Sequence, residues 1–307
     1  MTKLIATSVV RGSQQGQSHG GVFLIDLKTQ LTEQVLDWDK MDIDWQGRGW
    51  DRGLRGICII GETIYIAASD ELFAYNTQFE CIGSWKNPYL KHCHEIFEYR
   101  GTIFITSTAY DAIIGFDPKS EKFHWAIQID TNGLSFSAKR FDPNGDEGPL
   151  MLNKMHINNV HCNDDGMYIS GLKTGGMLHF NGKDVNMSAQ LPPGTHNAQP
   201  YQDGVLFNDT KADAVRFASR DSIEDECAFP VPQYPISELT GMNLDESKLA
   251  RPGFGRGLCV VAPGIIAAGS SPSTISIHDM NRRVTGLTVQ LTNDVRHAIH
   301  GLEVYPF

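Results

Sequence analysis

The chain lacks any apolar run near the length of a membrane span. Its N-terminal MTKLIATSVVRG has neither the long apolar stretch nor the small-residue cleavage site of a secretory signal. Basic residues are in the minority: 26 Lys and Arg face 36 Asp and Glu, a formal net charge of −10, which argues against nucleic acid because that partner needs a basic face. The six cysteines form no CxxC pair, and Cys58, Cys162 and Cys259 fall inside apolar runs. This points to buried thiols in a reducing, cytoplasmic compartment rather than to disulfides. Familiar catalytic signatures are also missing. RGSQQGQSHGG (11–21) has neither the spacing of a dinucleotide loop nor the lysine of a P-loop, DPNGDEG (142–148) lacks the ligand series of a calcium loop, and no serine elbow or HExxH occurs. These absences leave one domain, residues 1–307, with no membrane or nucleic-acid partner.

What the sequence does have is a repeat. A ten-residue step links Arg55 to Tyr65, His94 to Phe104, Asn158 to Tyr168, His196 to Leu206 and Arg256 to Ile266, each pair spanning a strand, a turn and a second strand. The turns centre on Gly61, Gly101, Gly166, Gly204 and Gly264. A third apolar run follows each hairpin, such as DELFAYN (70–76) and STISIHD (273–279), and a fourth can be placed at CIGSW (81–85) and KFHWAIQ (122–128). Four strands per unit is a propeller blade. The C-terminal HGLEVYPF supplies only a first strand, while LIATSVV, GGVFLID and TEQVLDW supply the other three. The chain is therefore expected to be all-β, a six-bladed β-propeller of four-stranded blades whose ring is closed by N- and C-terminal strands in one blade.

Around that ring the first-strand positions read His300, Arg55, His94, Asn158, His196 and Arg256. Histidine occupies alternate blades. His94, His196 and His300 are candidate metal ligands, because three imidazoles converging on the axis would hold a divalent transition metal (iron, copper or zinc) and leave coordination positions open. Arg55 and Arg256 are candidate substrate-binding residues, their planar forks suiting the carboxylate of a small anionic substrate; the alternative is a salt bridge to a channel acid such as Asp209 or Asp111. His92 and His156, two residues before His94 and Asn158, are candidate acid/base groups, and Asn158 a hydrogen-bond donor. Glu95 and Glu303 are placed to orient imidazoles from behind. Two blade connections are long, about 131–155 and 228–253, and with the tryptophan-bearing stretch 37–53 they are expected to surround the channel mouth.

The segments LNKMHINNVHCNDDGMYISG, LPPGTHNAQPYQDGVLFNDT and RPGFGRGLCVVAPGIIAAGSSP, with the closing HAIHGLEVYP, resemble an uncharacterised family of bacterial six-bladed β-propellers. More distantly the chain is similar to the gluconolactonase-like and virginiamycin lyase-like propellers, a resemblance that implies a metal in the channel, although the acidic ligands of the lactonase group are missing. Three readings stay open. One is a tri-histidine metalloenzyme, an oxidoreductase if the metal is redox-active and a lyase, isomerase or hydrolase otherwise. The second is a metal-independent lyase or isomerase using axial histidines as acid and base, and the third is a protein-binding propeller without catalysis.

Overall fold

The computed structural model describes residues 2–40, 53–242 and 251–307. Six antiparallel sheets form the blades of a propeller, each numbered here from the blade that contains both termini. In blade 1 the order from the inside is His297–Tyr305, Lys3–Val10, Gly20–Asp26 and Thr32–Asp37. The innermost strands of blades 2 to 6 are Ile57–Ile60, Ile96–Tyr99, Ile157–Asn163, Thr195–Tyr201 and Leu258–Ala262. Among the described residues helical structure is limited to three short 3-10 turns, and no helix is long and apolar enough to cross a membrane.

The hairpins show why the repeat is visible in the sequence. Gly61, Gly101 and Gly264 lie within their two-residue turns at φ of 59°, 79° and 77°, a region open to glycine at little cost. Blades 4 and 5 differ. Their turns are Asp164–Asp165 and Gln202–Asp203, and the glycine is the residue that follows. Gly204 is required for close approach instead: a Cβ there would meet the Ala218 carbonyl oxygen at 2.1 Å.

Closure by the termini is continuous. The strand His297–Tyr305 pairs antiparallel with Lys3–Val10, from Val10 opposite His297 to Lys3 opposite Tyr305, with one irregularity between Ala6 and Ser8. Ala298, Ile299, Leu302 and Tyr305 of that strand are buried. Full burial of side chains such as Ile299 and Leu302 stabilises by roughly 1.5–3 kcal/mol each, so this strand carries a large part of the ring's cohesion.

Blade 3 departs from the four-stranded pattern. Its fourth strand, Lys122–Thr131, turns back at residues 132–135 into a fifth, Phe136–Arg140, so the first part of the 131–155 connection thickens a blade edge instead of crowning the channel. The remainder is pinned to blades 2 and 3, with Asn87 Nδ2 donating to Pro143 O and Tyr89 Oη to Gly145 O. The connection at 228–253 begins with the fourth strand of blade 5, Cys227–Pro230. Residues 41–52 and 243–250 of the other expected mouth segments lie outside the described residues.

Candidate functional site

Arg55, His94 and Arg256 lie just before their innermost strands, Asn158 and His196 near the start of theirs and His300 within His297–Tyr305, and all are buried: Arg55 1%, His94 5%, Asn158 1%, His196 2%, Arg256 8% and His300 1% exposed. Backbone pairing fixes the arginines, with Arg55 N donating to Ala67 O and Arg256 N to Gly269 O. The inner strands are then stitched from blade to blade. Arg55 Nη1 donates to Cys93 O at 2.9 Å, Asn158 Nδ2 to Thr195 O at 3.1 Å, and Thr7 Oγ1 to Arg55 O at 2.5 Å.

The rings converge. His94 and His300 have centroids 5.7 Å apart, and His156 packs edge-on to His94 at 5.3 Å. Arg55 Nη1 approaches the His94 ring nitrogens at 3.1 and 3.3 Å. Two acceptors flank His94 Nδ1, the carbonyl of His92 and Thr108 Oγ1, both at 2.8 Å, and Thr108 Oγ1 already donates its own proton to Ile157 O. His94 Nδ1 therefore carries the hydrogen, and Nε2 presents a lone pair. His196 follows the same rule, because its Nδ1 faces Gly194 O at 3.0 Å. The orienting groups are backbone carbonyls and a threonine hydroxyl rather than the carboxylates expected from Glu95 and Glu303.

Burial and the neighbouring guanidiniums keep these imidazoles neutral. The pKa values of His94, His196 and His300 are driven well below the ordinary 6.5, first by desolvation, then by Arg55 for His94 and by Arg256 for the other two. His156 falls to about 3 through desolvation, Arg256 and Arg55. Asp209 and Asp111, the acids considered as partners of the two arginines, are engaged elsewhere. Asp209 pairs with Arg216 at 3.2 Å, and Asp111 accepts from the backbone amides of Lys154 and Met155.

One residue beyond the ring lies another layer. Asn197, held at φ 52° where the blade 5 hairpin register shifts, donates from Nδ2 to Glu95 Oε1 at 2.9 Å, joining blade 5 to blade 3. Its Oδ1 accepts from Asn208 Nδ2 and from Gly257 N. Desolvation pushes the Glu95 carboxyl up to about 8, outweighing the Asn197 hydrogen bond and the attraction of Arg256 and Arg55. Glu303 is raised by burial, and its Oε1 accepts from Val304 N. The hydrogen bonds of both carboxyls thus go to Asn197 and to a backbone amide rather than to an imidazole.

Among the described residues no three His, Cys, Asp or Glu side chains group as metal ligands. His92 contributes its carbonyl to His94, at φ 53°, and His156 Nδ1 lies 3.1 Å from Asn153 Oδ1. Sequence reasoning missed Phe254, whose ring has the guanidinium carbons of Arg11, Arg251 and Arg256 at 4.8, 5.0 and 4.7 Å. It missed Arg11, 3% exposed, because a residue just past the second strand of blade 1 has no counterpart in the six-fold register. Thr108 and Asn197 escaped for a similar reason, one lying in a 3-10 turn and the other displaced by a bulge.

No family model matches the chain, and no curated protein matches it in sequence. Solved structures do resemble it. A protein of unknown function from Bacteroides caccae aligns over 100% of this chain and 99% of its own, with a TM-score of 0.57 at 9% identity. A protein of Bacteroides fragilis named as a candidate 6-phosphogluconolactonase aligns over 99% and 98%, with a TM-score of 0.54 at 9% identity. The C-terminal WD40 domain of Sif2 gives 0.52 at 11% identity, over 95% of this chain and 90% of its own. At such identities the likeness is one of fold. The same architecture carries an enzyme-named protein and a WD40 domain, so the chemistry has to be read from the axial side chains.

Proposed function

We propose that the axial ring is the active site of an enzyme that binds a small carboxylate-bearing anion and moves protons through neutral imidazoles, as a lyase or isomerase. The observation that carries this reading is the burial of four neutral imidazoles, His94, His156, His196 and His300, under the influence of Arg55 and Arg256. The guanidiniums bind the carboxylate. That negative charge offsets the field depressing the imidazoles, so anion binding raises their pKa and turns poor bases into competent ones.

In the reaction one lone-paired Nε2 removes a proton from the carbon beside the carboxylate. The C–H bond breaks, the electron pair delocalises onto carboxylate oxygens held by Arg55 and Arg256, and the imidazole becomes imidazolium. In an elimination that electron pair then forms a C=C bond as the neighbouring C–O bond breaks, and a second imidazole, charged on anion binding, gives its proton to the departing oxygen; in an isomerisation of an unsaturated acid the double bond moves toward the carboxylate and the proton is returned to its far carbon. The name of the Bacteroides fragilis neighbour agrees with an enzyme on this fold and goes no further.

A metal held by His94, His196 and His300 is the second reading. It is favoured by the unpartnered Nε2 atoms of His196 and His300. Elemental analysis of protein purified without a histidine tag separates the two. Calorimetric titration with succinate tests the anion: the native protein should bind it, and Arg55→Gln and Arg256→Gln should each weaken binding at least tenfold with melting behaviour retained. Binding that survives both substitutions would defeat the proposal.

A further inference from the structure

Among the described residues, Asn158 Oδ1, His196 Nε2 and His300 Nε2 are buried atoms of the ring with no hydrogen-bond partner, in residues 1%, 2% and 1% exposed. Such atoms cost stability unless something satisfies them, so their chemical sense identifies the missing group. Asn158 Nδ2 is committed to Thr195 O, which leaves a pure acceptor. His196 is a pure acceptor at Nε2, because Nδ1 spends its hydrogen on Gly194 O. His94 Nε2 does not belong to this set, because Arg55 Nη1 lies 3.3 Å from it. Guanidiniums supply donors to a carboxylate, but a bare carboxylate has no hydrogen to give these acceptors.

From this mismatch we infer that the ligand is a hydroxy acid, an anion that carries at least two hydroxyl donors on carbons near its carboxylate. The inference rests on the anion reading and adds the donors to it. Hydroxyls satisfy Asn158 Oδ1 and His196 Nε2 while the carboxylate lies on Arg55 and Arg256. A hydroxyl bonded to an Nε2 lone pair also sits where an imidazole can take its proton or return one. Discrimination by such contacts is strong, because the analogue without hydroxyls leaves buried acceptors unpaired.

Succinate, malate and tartrate present two carboxylates on four carbons with none, one and two hydroxyls. Titrated into the intact protein by calorimetry, they should bind in the order tartrate, malate, succinate, with roughly a two- to tenfold gain per hydroxyl. Asn158→Leu and His196→Phe should each bring the tartrate-to-succinate affinity ratio toward one, a change of preference that a general loss of fold would not produce. Equal binding of all three acids overturns the hydroxyl inference and leaves the anion site standing. Failure of all three to bind a folded protein overturns the anion reading itself.

Discussion

Asn197 and Glu95, from blades on opposite sides of an intervening one, are joined by a 2.9 Å hydrogen bond. The pair clasps blades 3, 5 and 6, since Asn197 is also held by Asn208 and by the amide of Gly257 in blade 6. Asn197 occupies the left-handed region at φ 52°, where asparagine is tolerated better than alanine. Asn197→Ala should therefore lose both the clasp and backbone ease, and Asn197→Gly only the clasp. Urea unfolding should rank wild type above Asn197→Gly, and Asn197→Gly above Asn197→Ala, with steps of about 1 kcal/mol.

Acid should weaken the fold. His94, His156, His196 and His300 have folded pKa values below 6.5, so the unfolded chain binds protons that the fold refuses. Their contribution is complete above pH 6.5 and is lost as pH falls from there. Glu95 and Glu303 act in the opposite sense, because a raised carboxyl stabilises below 4.5 and loses that contribution as pH rises, for Glu95 through about 8. The lowered imidazoles, which also include His161, His278 and His297, outnumber the raised carboxyls, so stability should decline as pH falls below 6.5. Urea midpoints measured from pH 5 to 8 should fall on the acid side, and Glu95→Gln should remove part of the decline on the alkaline side. A flat profile would show that the imidazoles titrate normally.

Removal of residues 300–307 should abolish cooperative folding, because it strips the inner strand from blade 1 and exposes the edge of Lys3–Val10. Circular dichroism and size-exclusion chromatography check this. A soluble truncation with a sharp thermal transition would contradict closure by shared termini.

The fold was legible because its repeat is written in residues that the backbone demands. Gly61, Gly101 and Gly264 mark hairpins by positive φ, and the strands that follow them are short, apolar runs buried along most of their length. The strands at Cys81–Lys86 and Lys122–Thr131 match the weaker runs read at 81–85 and 122–128. The fifth strand of blade 3 was not legible, since FSAKR is short, largely polar and pairs only at an outer edge. At the site, register placed His94, His196 and His300 on one ring, but register cannot report a tautomer. The carbonyls of His92 and Gly194 that set those tautomers are backbone groups, invisible to side-chain reasoning. Arg11 and Phe254 come from segments outside the repeat and meet the ring only in three dimensions.

Anion binding should be accompanied by proton uptake. A carboxylate on Arg55 and Arg256 removes part of the field that depresses the imidazoles, so their pKa rises toward 6.5. Calorimetry of tartrate binding at pH 6 in two buffers of different ionisation heat should show protons entering the complex. The effect should shrink at pH 8. Binding with no proton exchange at pH 6 would separate the arginines from the histidines functionally.

The most direct test is nuclear magnetic resonance of protein carrying nitrogen-15 histidine. Free protein should show His94 and His196 as neutral Nδ1–H tautomers from pH 5 to 8, and tartrate should move the His196 Nε2 resonance by hydrogen bonding to its lone pair while the ring nitrogens of His300 shift toward the charged form. Axial histidines that titrate near 6.5 in the free protein, or that ignore the anion, would contradict a site built from arginine-held carboxylate and neutral imidazoles.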